Sequence, residues 1–489
     1  MLFDEIMQGI DYEAVQTGNA GGIKAEIKSI VTDSRKIAEG SLFVCLRGLK
    51  ADGHKFIEEI SQNGAVAVVI DRDQAIYPPG LSILKVHDAR KSLAAISANF
   101  YSRPADKLRL FGVTGTNGKT SVTYMMNSIL SKLNKTGLIG TIGLIFGGKP
   151  LDIPFSTSTT PDPPELMQIL SHMANNGGRD VVMEVSSHAL ALHKMETLFF
   201  EAAMYTNLTQ DHLDFHGTME NYMEAKAKLF TQCRFGIMNA DDKYTPKIMK
   251  IGTPEKWITY GIDCDDCDIR AVNITNENEG SSFDITIGNK IENFYLPMKG
   301  RYNVHNALAV IGAALAVGIT VDDIRAGLAD FEGVPGRIQS IPNNRGFNVL
   351  VDYAHTPDGL VNIINAVRGF TEGKVITLFG CGGERDTEKR PIMGRVAGEL
   401  SDYCIITSDN PRSEPPEKII KQIESGVKDT NCPYDCITDR RSAIYHGISM
   451  LEAGDALIIA GKGHENYQLI GGQSLHFDDA EVAKDALNA

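Results

Sequence analysis

The chain has 489 residues, of which 43% are hydrophobic and 22% are charged, and a formal net charge of −14 at pH 7. This length predicts about three globular domains, and the negative charge argues against general nucleic-acid binding, which needs a basic face. The N-terminal stretch is acidic where a signal peptide is basic, and the apolar run near residues 307–319 is shorter than the roughly 20 residues of a membrane helix. With eight scattered cysteines, the chain is expected to be a reduced, cytoplasmic enzyme.

The first hundred residues predict a separate unit. The runs AVAVVI (65–70) and LSILKV (81–86) predict buried strands. Upstream of them, the sequence TDSR, which contains Ser34, interrupts two apolar runs with hydrogen-bonding side chains. By itself, TDSR is more typical of a turn than of a binding site.

The stretch LRLFGVTGTNGKT (108–120) predicts a phosphate-binding loop between an apolar strand and a helix. Gly115 and Gly118 let the backbone approach an anion, and the amides at the helix N-terminus point towards it. Lys119 supplies a charge for the terminal phosphates, and the hydroxyl of Thr120 suits Mg²⁺. The spacing lacks the first glycine of the common G-x-x-x-x-G-K-[ST] pattern. We therefore predict a variant loop that binds a nucleoside triphosphate.

Polar side chains follow the next predicted strands. The run FSTSTTP (155–161) is dense in hydroxyl groups. DVVMEV (180–185) predicts a buried parallel strand with Glu184 at its carboxyl end, where open α/β sheets bind ligands. Asp211 and His212 follow another strand in an acidic loop. Because a carboxylate that ends an apolar strand is costly unless it meets a cation, these residues are candidate metal ligands.

The remainder of the chain predicts a β-rich edge, a helix and a third unit. Alternation over residues 257–297 is hairpin-like, and residues 303–317 predict a helix of small side chains. After the predicted linker EGVPGR (332–337), the strands FNVLVDY, VITLFG, DYCIIT and DALIIA alternate with helical stretches, which implies a mostly parallel sheet. Four polar sequences end these strands, and we expect them to share one sheet edge: DYAHTPD, GCGGERDTEKRP, SDNPRSE and GKGHE.

Together these motifs resemble those of the Mur ligase family over nearly the whole chain. The family's order is matched by TGTNGKT, MEVSSHAL, TNLTQDHLDFHG, EAKAKLF, VPGR, DYAHTPD, SDNPR and GKGHE. The resemblance implies an α/β protein of three domains, with a central P-loop-type ATPase that has a mostly parallel sheet and a C-terminal Rossmann-like domain. Residues 1–103 would bind a UDP-sugar, residues 104–335 ATP and residues 336–489 an amino acid.

The resemblance also implies a reaction. The motifs are most similar to those of members that add meso-2,6-diaminopimelate to UDP-N-acetylmuramoyl-L-Ala-D-Glu during peptidoglycan precursor synthesis. ATP would phosphorylate the γ-carboxylate of D-glutamate, with Mg²⁺ as cofactor, and the amino group of diaminopimelate would attack the acyl phosphate. This order makes chemical sense, because phosphorylation turns a carboxylate oxygen into a good leaving group. The partners are thus three small molecules, and we expect a monomer that binds neither nucleic acid nor a membrane.

The resemblance assigns roles to matching positions. ATP would be bound by Gly115, Thr116, Asn117, Gly118, Lys119, Thr120, Asn303, Asn306, Arg337 and Asp352. The UDP-sugar peptide would be bound by Ser34, Thr159, Thr160, Ser186 and Lys194. Diaminopimelate would be bound by Arg390, Asp409, Asn410, Pro411, Arg412, Gly461 and Glu465. Catalysis would involve Lys119, Lys226 and His212, and the Mg²⁺ ligands would be Thr120, Glu184, His212 and a carbamylated Lys226.

The choice of Lys226 also has a geometric basis. At helical spacing, Tyr222, Lys226 and Phe230 share one face, whereas Lys228 is turned away by about 200°. A solvated lysine is the ordinary expectation, and it suits Lys228. The resemblance implies that Lys226 reacts with CO₂, which would give an anion that can help to fix a second Mg²⁺.

The expected preference for diaminopimelate depends on its second carboxylate, which L-lysine lacks. Pro411 would stiffen the turn that aims Arg412 at that group as a two-pronged ion pair. Taken alone, an N-P-R sequence is more typical of a surface turn before a helix. By resemblance, Arg390 would hold a carboxylate of the ligand too, while the Gly461 carbonyl and Glu465 would bind the distal ammonium group.

Two positions depart from the family pattern, and two other classes of nucleotide-binding protein share some of these features. Lys194 stands where arginine is common, and GERD (383–386) replaces GDRD, which is a mild change. A folylpolyglutamate synthetase-like ligase would share the fold, but TDSR, SDNPR and GKGHE argue against it. A GTPase-type switch protein would need an N-K-x-D guanine-binding motif, which this sequence lacks.

Overall fold

The computed structural model describes residues 1–18, 26–48, 51–157, 159–276, 280–287 and 290–489. Three main sheets flanked by helices are built from separate stretches of this part of the chain, with strands between residues 12–86, 109–296 and 339–460. The predicted α/β class with three domains is thereby confirmed. The domain boundaries at 103/104 and 335/336 stay predictions.

The first domain carries a five-stranded sheet. Its elements are α1 (Phe3–Ile6), β1 (Tyr12–Gln16), β2 (Ser29–Val31), β3 (Ser41–Val44), α2 (Ile57–Gln62), β4 (Ala65–Ile70), β5 (Ser82–Val86) and α3 (Ala89–Phe100). The strand order is β1-β5-β4-β3-β2, with β1 antiparallel to β5 and the other neighbours parallel. The two predicted strands are confirmed as β4 and β5, and one face of the sheet packs its apolar residues against α3.

The central domain is the largest. Its helices are α4 (Lys119–Leu133), α5 (Pro163–Asn175), α6 (Ser187–Ala191), α7 (Leu213–His216), α8 (Met219–Ala227), α9 (Thr245–Ile251), α10 (Arg301–Ala316) and α11 (Val321–Ala329). Its strands are β6 (Arg109–Thr114), β7 (Thr136–Gly140), β8 (Gly143–Phe146), β9 (Lys149–Pro150), β10 (Asp180–Glu184), β11 (Phe200–Tyr205), β12 (Cys233–Asn239), β13 (Lys256–Gly261), β14 (Ile269–Asn276), β15 (Ser281–Ile287) and β16 (Lys290–Leu296).

These strands form an eleven-stranded sheet in the order β16-β15-β14-β13-β12-β11-β6-β10-β7-β8-β9. The strands from β14 to β7 are parallel, and both edges are antiparallel. Apolar clusters cover both faces, which explains the uninterrupted apolar runs of β6 and β10. The predicted β-rich edge is confirmed where it is described; residues 277–279 and 288–289 lie outside that part. Because β6, β10 and β11 are parallel neighbours, the loops that follow them meet at one edge.

The third domain has a six-stranded sheet and a separate hairpin. Its strands are β17 (Gln339–Ser340), β18 (Asn348–Asp352), β19 (Val375–Phe379), β20 (Tyr403–Thr407), β21 (Tyr434–Ile437), β22 (Ala456–Ala460), β23 (Tyr467–Ile470) and β24 (Gln473–His476). Its helices are α12 (Pro357–Arg368), α13 (Lys389–Leu400), α14 (Pro416–Val427), α15 (Arg440–Ser449) and α16 (Asp479–Asn488). In the order β17-β18-β22-β19-β20-β21, all neighbours from β18 to β21 are parallel. The four polar strand ends therefore share one edge, as predicted.

The linker between the second and third domains packs closely against that edge. Gly336 has a φ of +66°, and a Cβ there would lie 2.1 Å from the backbone nitrogen of His464. Glycine is therefore required where the linker crosses the GKGHE loop. In the described residues we find no helix whose length and apolar character would let it cross a membrane.

Candidate active site

The phosphate loop turns between β6 and α4 on two glycines that have no room for a side chain. Gly118 has a φ of +86°, and a Cβ there would lie 2.5 Å from Asn306 Oδ1. A Cβ at Gly115 would lie 1.8 Å from Thr206 Oγ1. Lys119 folds back over the loop and donates from Nζ to the Gly115 carbonyl at 3.0 Å. The loop conformation therefore depends on the glycines that the sequence singled out.

A cleft opens between the phosphate loop, α10 and the third domain. Arg337 Nη2 donates to Thr120 Oγ1 at 3.4 Å, and Asn117 Nδ2 donates to Asp358 Oδ2 at 2.7 Å, so both domains form its walls. The lining includes seven residues predicted to contact ATP, namely Asn117, Gly118, Thr120, Asn303, Asn306, Arg337 and Asp352. It also includes residues that the sequence did not single out, among them Tyr302, Tyr353, His355 and Asn362.

Arg337 and Asp352 meet where the linker enters the third domain. The Asp352 carboxylate accepts the backbone amides of Ile338 and Ala354, each at 2.8 Å. Burial raises the pKa of Asp352, against the opposing effect of Arg337. The Arg337 guanidinium lies 4.5 Å from the centroid of the Tyr353 ring. Its buried Nε has no hydrogen-bond partner among the residues that the structure describes. This arginine therefore faces the cleft with donor capacity to spare.

Glu184 ends β10 beside the phosphate loop and is 1% exposed. Its Oε1 accepts from Thr120 Oγ1 at 3.0 Å and from the amide of Thr141 at 2.9 Å, and its Oε2 accepts from Thr141 Oγ1 at 3.0 Å. Sequence reasoning missed Thr141. A signal was available, since Thr141 follows β7, which is the neighbour of β10, and the carboxyl ends of parallel neighbours meet.

Three predicted UDP-sugar ligands lie beside Glu184 and Thr141. Thr160 Oγ1 donates to the Glu184 carbonyl at 2.9 Å and accepts from the Ser186 amide at 3.1 Å. Thr159 Oγ1 lies 3.1 Å from Thr141 Oγ1. The hydroxyl-rich run therefore lies directly against the carboxyl ends of β10 and β7.

The other two predicted UDP-sugar ligands lie apart from the hydroxyl groups. Lys194 Nζ lies 2.7 Å from the carboxylate of Asp162, and its side chain is 11% exposed. Ser34 begins a short 3-10 turn in the first domain, where the Asp33 carboxylate accepts from the amide of Arg35 at 3.1 Å. The structure thus brings together three of the five residues and places Ser34 on another domain.

His212 lies in a cluster of aromatic rings between α6 and α8. Its ring centroid is 4.8 Å from that of His188 and 6.2 Å from that of Tyr222, and its Nε2 is 3.3 Å from the Asp211 carboxylate. Burial lowers the pKa of His212 to about 3, because the pull of Asp211 is outweighed by desolvation and nearby cations. A neutral imidazole is the form that binds a metal.

Lys226 is buried beneath the phosphate loop, with 1% of the residue exposed. Its Nζ donates to the Gly115 carbonyl at 2.7 Å and lies 4.5 Å from the centroid of the Tyr222 ring. Burial lowers the pKa of Lys226 well below its usual range, and the charge of Lys119 acts in the same direction. An uncharged amine is the form that can react with CO₂, so the environment suits the predicted carbamylation.

The helix face predicted for Lys226 needs a correction. The α-helix ends at Ala227, and Phe230 lies in a 3-10 turn over Lys228–Thr231 rather than at the next position of the same helix. The three residues of the predicted face are nevertheless all buried, and Lys228 is half-buried. The tighter turn changes the spacing without exposing Phe230.

The predicted metal ligands fit Mg²⁺ only in part. Thr120 and Glu184 bring a hydroxyl and a carboxylate oxygen together at 3.0 Å, and Mg²⁺ prefers oxygen ligands. His212 and Lys226 both lie beside the Tyr222 ring. In the described ranges, no group of three or more His, Cys, Asp or Glu side chains could hold a metal ion. The residues therefore suit an ion held mainly by substrate phosphates with a few protein oxygens.

The predicted amino-acid loop, Asp409–Arg412, follows β20. Arg412 has a φ of +56° and is half-buried, and its Nη1 donates to the Gly383 carbonyl at 2.6 Å. Its amide donates to the carbonyl of Leu469 on β23 at 2.9 Å. The loop is therefore held between the GERD loop and the β23–β24 hairpin.

Glu465 faces this loop from the end of β22. Asn410 Nδ2 donates to Glu465 Oε2 at 2.7 Å, and the fully buried Lys462 Nζ lies 3.3 Å from the same oxygen. Burial raises the pKa of Glu465, and the charge of Asp409 adds to this effect. Gly461 joins the two predicted sites, because its amide donates to the carbonyl of Asp352 at 3.1 Å.

Arg390 lies beneath the loop rather than at its surface. It is fully buried, and its Nη1 and Nη2 donate to the two carboxylate oxygens of Glu414, each at 3.0 Å. Nη2 also donates to the Gly382 carbonyl at 3.1 Å. The hydrogen bonds from Arg390 are the main reason that the pKa of Glu414 falls to about 2. Direct contact between Arg390 and a ligand carboxylate stays a prediction.

Known proteins were compared with the chain. Residues 26–101 match the Mur ligase family catalytic domain, 113–314 the Mur ligase middle domain and 336–463 the Mur ligase glutamate ligase domain. A relative from Caldanaerobacter subterraneus subsp. tengcongensis is 45% identical and covers 100% of this chain and 99% of the relative. One from Clostridioides difficile is 44% identical and covers both chains fully. Both are named UDP-N-acetylmuramoyl-L-alanyl-D-glutamate–2,6-diaminopimelate ligase.

A solved structure with the same printed name has a TM-score of 0.69 and 31% identity, and the match covers 100% of this chain and 99% of that one. These matches run through all three sheets and both predicted sites. They exclude the GTPase-type switch protein as an alternative. The protein is a member of the Mur ligase family.

Proposed function

We propose that this protein is an ATP-dependent amide ligase that adds meso-2,6-diaminopimelate to the D-glutamate γ-carboxylate of UDP-N-acetylmuramoyl-L-Ala-D-Glu, in peptidoglycan precursor synthesis. The observation that carries the proposal is the meeting of Thr120 of the phosphate loop with Arg337 of the linker, at the edge that also holds the Asp409–Arg412 loop. ATP, the acyl acceptor and the amino acid can meet there. Full-length relatives named for this reaction support it.

The phosphate loop prepares the first step. In our proposal, Lys119 exchanges its bond to the Gly115 carbonyl for the oxygens of the transferred phosphate. Arg337, with spare donor capacity, binds those oxygens from the opposite wall. Charge spread over the phosphate in the transition state is stabilised best by donors already in place. The γ-carboxylate of D-glutamate is aligned from the Thr159 and Thr160 side, next to Thr141.

Mg²⁺ would be held by Thr120, Glu184, His212 and the carbamate of Lys226, and when bound it neutralises phosphate charge. Carbamylation would convert Lys226 from a buried amine into an anion on a long stem. The Tyr222 ring and the Gly115 carbonyl contact Nζ, the atom that would carry the carbamate. The neutral His212 ring would stay available as a ligand.

The third domain would select the amino acid. Arg412 would pair with the distal carboxylate of diaminopimelate, the Gly461 carbonyl and Glu465 would bind its distal ammonium group, and Arg390 would hold a carboxylate of the ligand too. L-lysine would leave the Arg412 guanidinium unpaired, and such a defect can support discrimination of about 10⁴. We further propose that the protein works in the cytoplasm as a monomer, with residues 1–103 on the UDP-sugar.

The test is ADP release by the purified protein with ATP, Mg²⁺, UDP-N-acetylmuramoyl-L-Ala-D-Glu and meso-diaminopimelate. Release should require both other substrates, and mass spectrometry should show a UDP-tripeptide product. L-lysine in place of diaminopimelate should give a far lower kcat/KM. Release that is indifferent to the UDP-dipeptide would refute the proposal, and equal use of L-lysine would refute the assigned amino acid.

A further inference from the structure

The two loops that would select the amino acid share a buried arginine. Arg440 begins α15 and Asp479 begins α16, and both side chains are fully buried. Arg440 Nε donates to Asp479 Oδ1, and Nη2 donates to Asp479 Oδ2, each at 2.7 Å. This two-pronged ion pair holds the guanidinium in one orientation.

The same guanidinium also donates to the points where both loops begin. Nη1 donates at 3.3 Å to the carbonyl of Ser408, which directly precedes the Asp409–Arg412 loop. Nη2 donates at 3.0 Å to the carbonyl of Ala460, which ends β22 and directly precedes Gly461. One rigid side chain thus connects the starts of the two loops.

This connection spans an intervening strand. In the sheet, β19 lies between β20 and β22, so the ends of β20 and β22 are expected to be about 10 Å apart. The loops that follow nevertheless meet, because Asn410 Nδ2 donates to Glu465 Oε2 at 2.7 Å. In the proposed function, the ammonium group of the ligand binds Glu465 and competes with Asn410 for it. The bonds from Arg440 involve other atoms, so they can keep the loop spacing during that competition.

Stability alone does not account for Arg440. It lies at the N-terminal end of a helix, where the helix dipole disfavours a cation, and it is withdrawn from water. An apolar pair of the same volume is often as stable as a buried ion pair. Such a pair has no donors that could join two carbonyls, whereas a guanidinium presents several in a fixed plane. The bonds to the two loops are therefore what this arginine adds to the site.

The loop spacing bears on the stereochemistry of the ligand. By the proposed assignments, Arg412 binds the distal carboxylate from one loop, while the Gly461 carbonyl and Glu465 bind the distal ammonium group from the other. The meso and L,L forms of diaminopimelate differ only in the configuration at one end carbon, which changes the relative directions of these two groups. We propose that Arg440 is a positioning residue that holds the loops at the spacing that accepts the meso form and rejects the L,L form. This inference rests on the proposed function and adds a determinant of its selectivity.

Two substitutions separate the carbonyl contacts from the ion pair. Arg440→Lys can keep a charge opposite Asp479, but one ammonium group cannot reproduce the planar set of bonds to both loops. Asp479→Asn weakens the ion pair and leaves the guanidinium able to reach both carbonyls. Ile444→Ala is the matched control, because Ile444 lies one turn later on α15, is fully buried and packs in the apolar cluster against the sheet.

The measurement is the ratio of kcat/KM for meso-diaminopimelate to kcat/KM for L,L-diaminopimelate, with the KM for ATP and the melting temperature of each variant. The wild type should favour the meso form by at least about 30-fold. Arg440→Lys should lower this ratio by about fivefold or more and leave the KM for ATP within about twofold. Asp479→Asn and Ile444→Ala should both melt at lower temperature and keep the ratio within about twofold.

Several results would overturn the inference. One is an Arg440→Lys enzyme with the wild-type ratio. An equal fall of the ratio in Ile444→Ala would show that any loosening of α15 has the same effect. An equal fall in Asp479→Asn would assign the selectivity to the ion pair instead of the bonds to the loops.

The wild type separates the inference from the proposed function. Equal ligation of both stereoisomers would refute the inference and leave the proposed function standing, whereas ligation of neither would refute both. If Arg440→Lys does not fold, the double variant Arg440→Met/Asp479→Leu takes its place, since an apolar pair leaves no buried charge unpaired. The same loss of the ratio is expected there, and a wild-type ratio would again refute the inference.

Discussion

The phosphate-loop region and the amino-acid region treat buried charge in opposite ways. Around the phosphate loop, Lys119 and Lys226 both donate to the Gly115 carbonyl. Desolvation lowers the pKa of each lysine, and their mutual repulsion adds to the shift at Lys226. This region holds cations that are costly to keep charged until an anion arrives.

Around the Asp409–Arg412 loop, the buried cations already have acidic partners. Arg390 forms a two-pronged pair with Glu414, and Lys462 lies 3.3 Å from Glu465. No net charge is left over from these pairs. These acidic partners fix the conformation of the Asp409–Arg412 loop rather than its electrostatic potential.

This difference indicates how each site obtains its selectivity. A phosphate or carbamate relieves the desolvation of the two lysines, so anion binding in the first region is driven by charge. In the second region, the charges of the fully buried cations are already balanced, so a ligand must match the positions of the groups that these pairs hold in place. We therefore expect recognition there to depend on geometry, which would separate diaminopimelate from L-lysine.

The largest effect is expected when the buried Lys226 amine of the phosphate-loop region is removed. Lys226→Ala should lower the ligation rate by at least about 10³-fold, because the anion that carbamylation would supply is lost. Short carboxylates added to the assay should restore part of the rate. Lys228→Ala should stay close to wild type, because Lys228 is half-buried and begins the 3-10 turn that follows the helix of Lys226. A Lys226→Ala enzyme that is active without added carboxylates would show that the phosphate-loop region does not depend on this buried amine.

The next effect tests the geometric region. Arg412→Ala should lower kcat/KM for meso-diaminopimelate by roughly 100-fold or more and leave that for L-lysine nearly unchanged. The control is Arg395→Ala, since Arg395 forms an exposed ion pair with Asp429 on the same domain. Steady-state kinetics with both amino acids give the discrimination ratio. A variant that keeps the wild-type ratio would show that selectivity arises elsewhere.

A third effect concerns stability and pH. Burial lowers the pKa of His216 from 6.5 to about 4, and its Nε2 lies 2.9 Å from Ser187 Oγ. The unfolded chain binds more protons between these values, so this contribution is complete above pH 6.5 and is lost as the pH falls towards 4. The free energy of unfolding should drop by at most about 3 kcal/mol from this group.

Urea unfolding at a series of pH values measures that slope. His216→Gln, which cannot gain a charge, should make the dependence shallower in this range. An identical slope in wild type and variant would mean that His216 titrates in the folded protein as it does in the unfolded chain.

The smallest effect concerns Lys194, a lysine of the central domain that already has an acidic partner, as the buried cations of the third domain do. Lys194 lies 2.7 Å from Asp162. The resemblance also implies a contact with the UDP-sugar peptide. Lys194→Ala should therefore raise the KM for the UDP-sugar by about three- to tenfold and leave the KM for ATP unchanged. Lys194→Arg should be tolerated, because its planar fork can keep the pair. Wild-type kinetics in Lys194→Ala would leave this lysine with only its contact to Asp162.

The sequence predicted the phosphate loop well because its determinants are contiguous. Two glycines, a lysine and a threonine within six residues define the turn, the charge and the helix start, and short-range sterics enforce them. The four polar strand ends of the third domain were predicted correctly for a similar reason, since parallel strands must end on one edge. The extent of the helix that carries Lys226 was wrong, because a 3-10 turn after Ala227 depends on packing.

What the sequence could not give were pairings between distant elements. Arg390 and Glu414 are 24 residues apart, and only the packing of α13 against the loop after β20 brings them together. Asn117 and Asp358 come from different domains, and their hydrogen bond depends on how those domains close. Such contacts carry no local pattern, so motifs alone could not identify them.

The close contact between Gly336 and the backbone of His464 limits where the linker can bend. Because a single added carbon would collide with the amide of His464, the linker cannot slide over the third domain from this residue onwards. We therefore expect the pivot for any rotation of that domain to lie just before it, in residues 332–335. Rotation about this pivot would break the Asn117–Asp358 bond and withdraw Arg337 from Thr120 together. The same rotation would then open the entrance for the nucleotide and move Arg337 away from the phosphate loop.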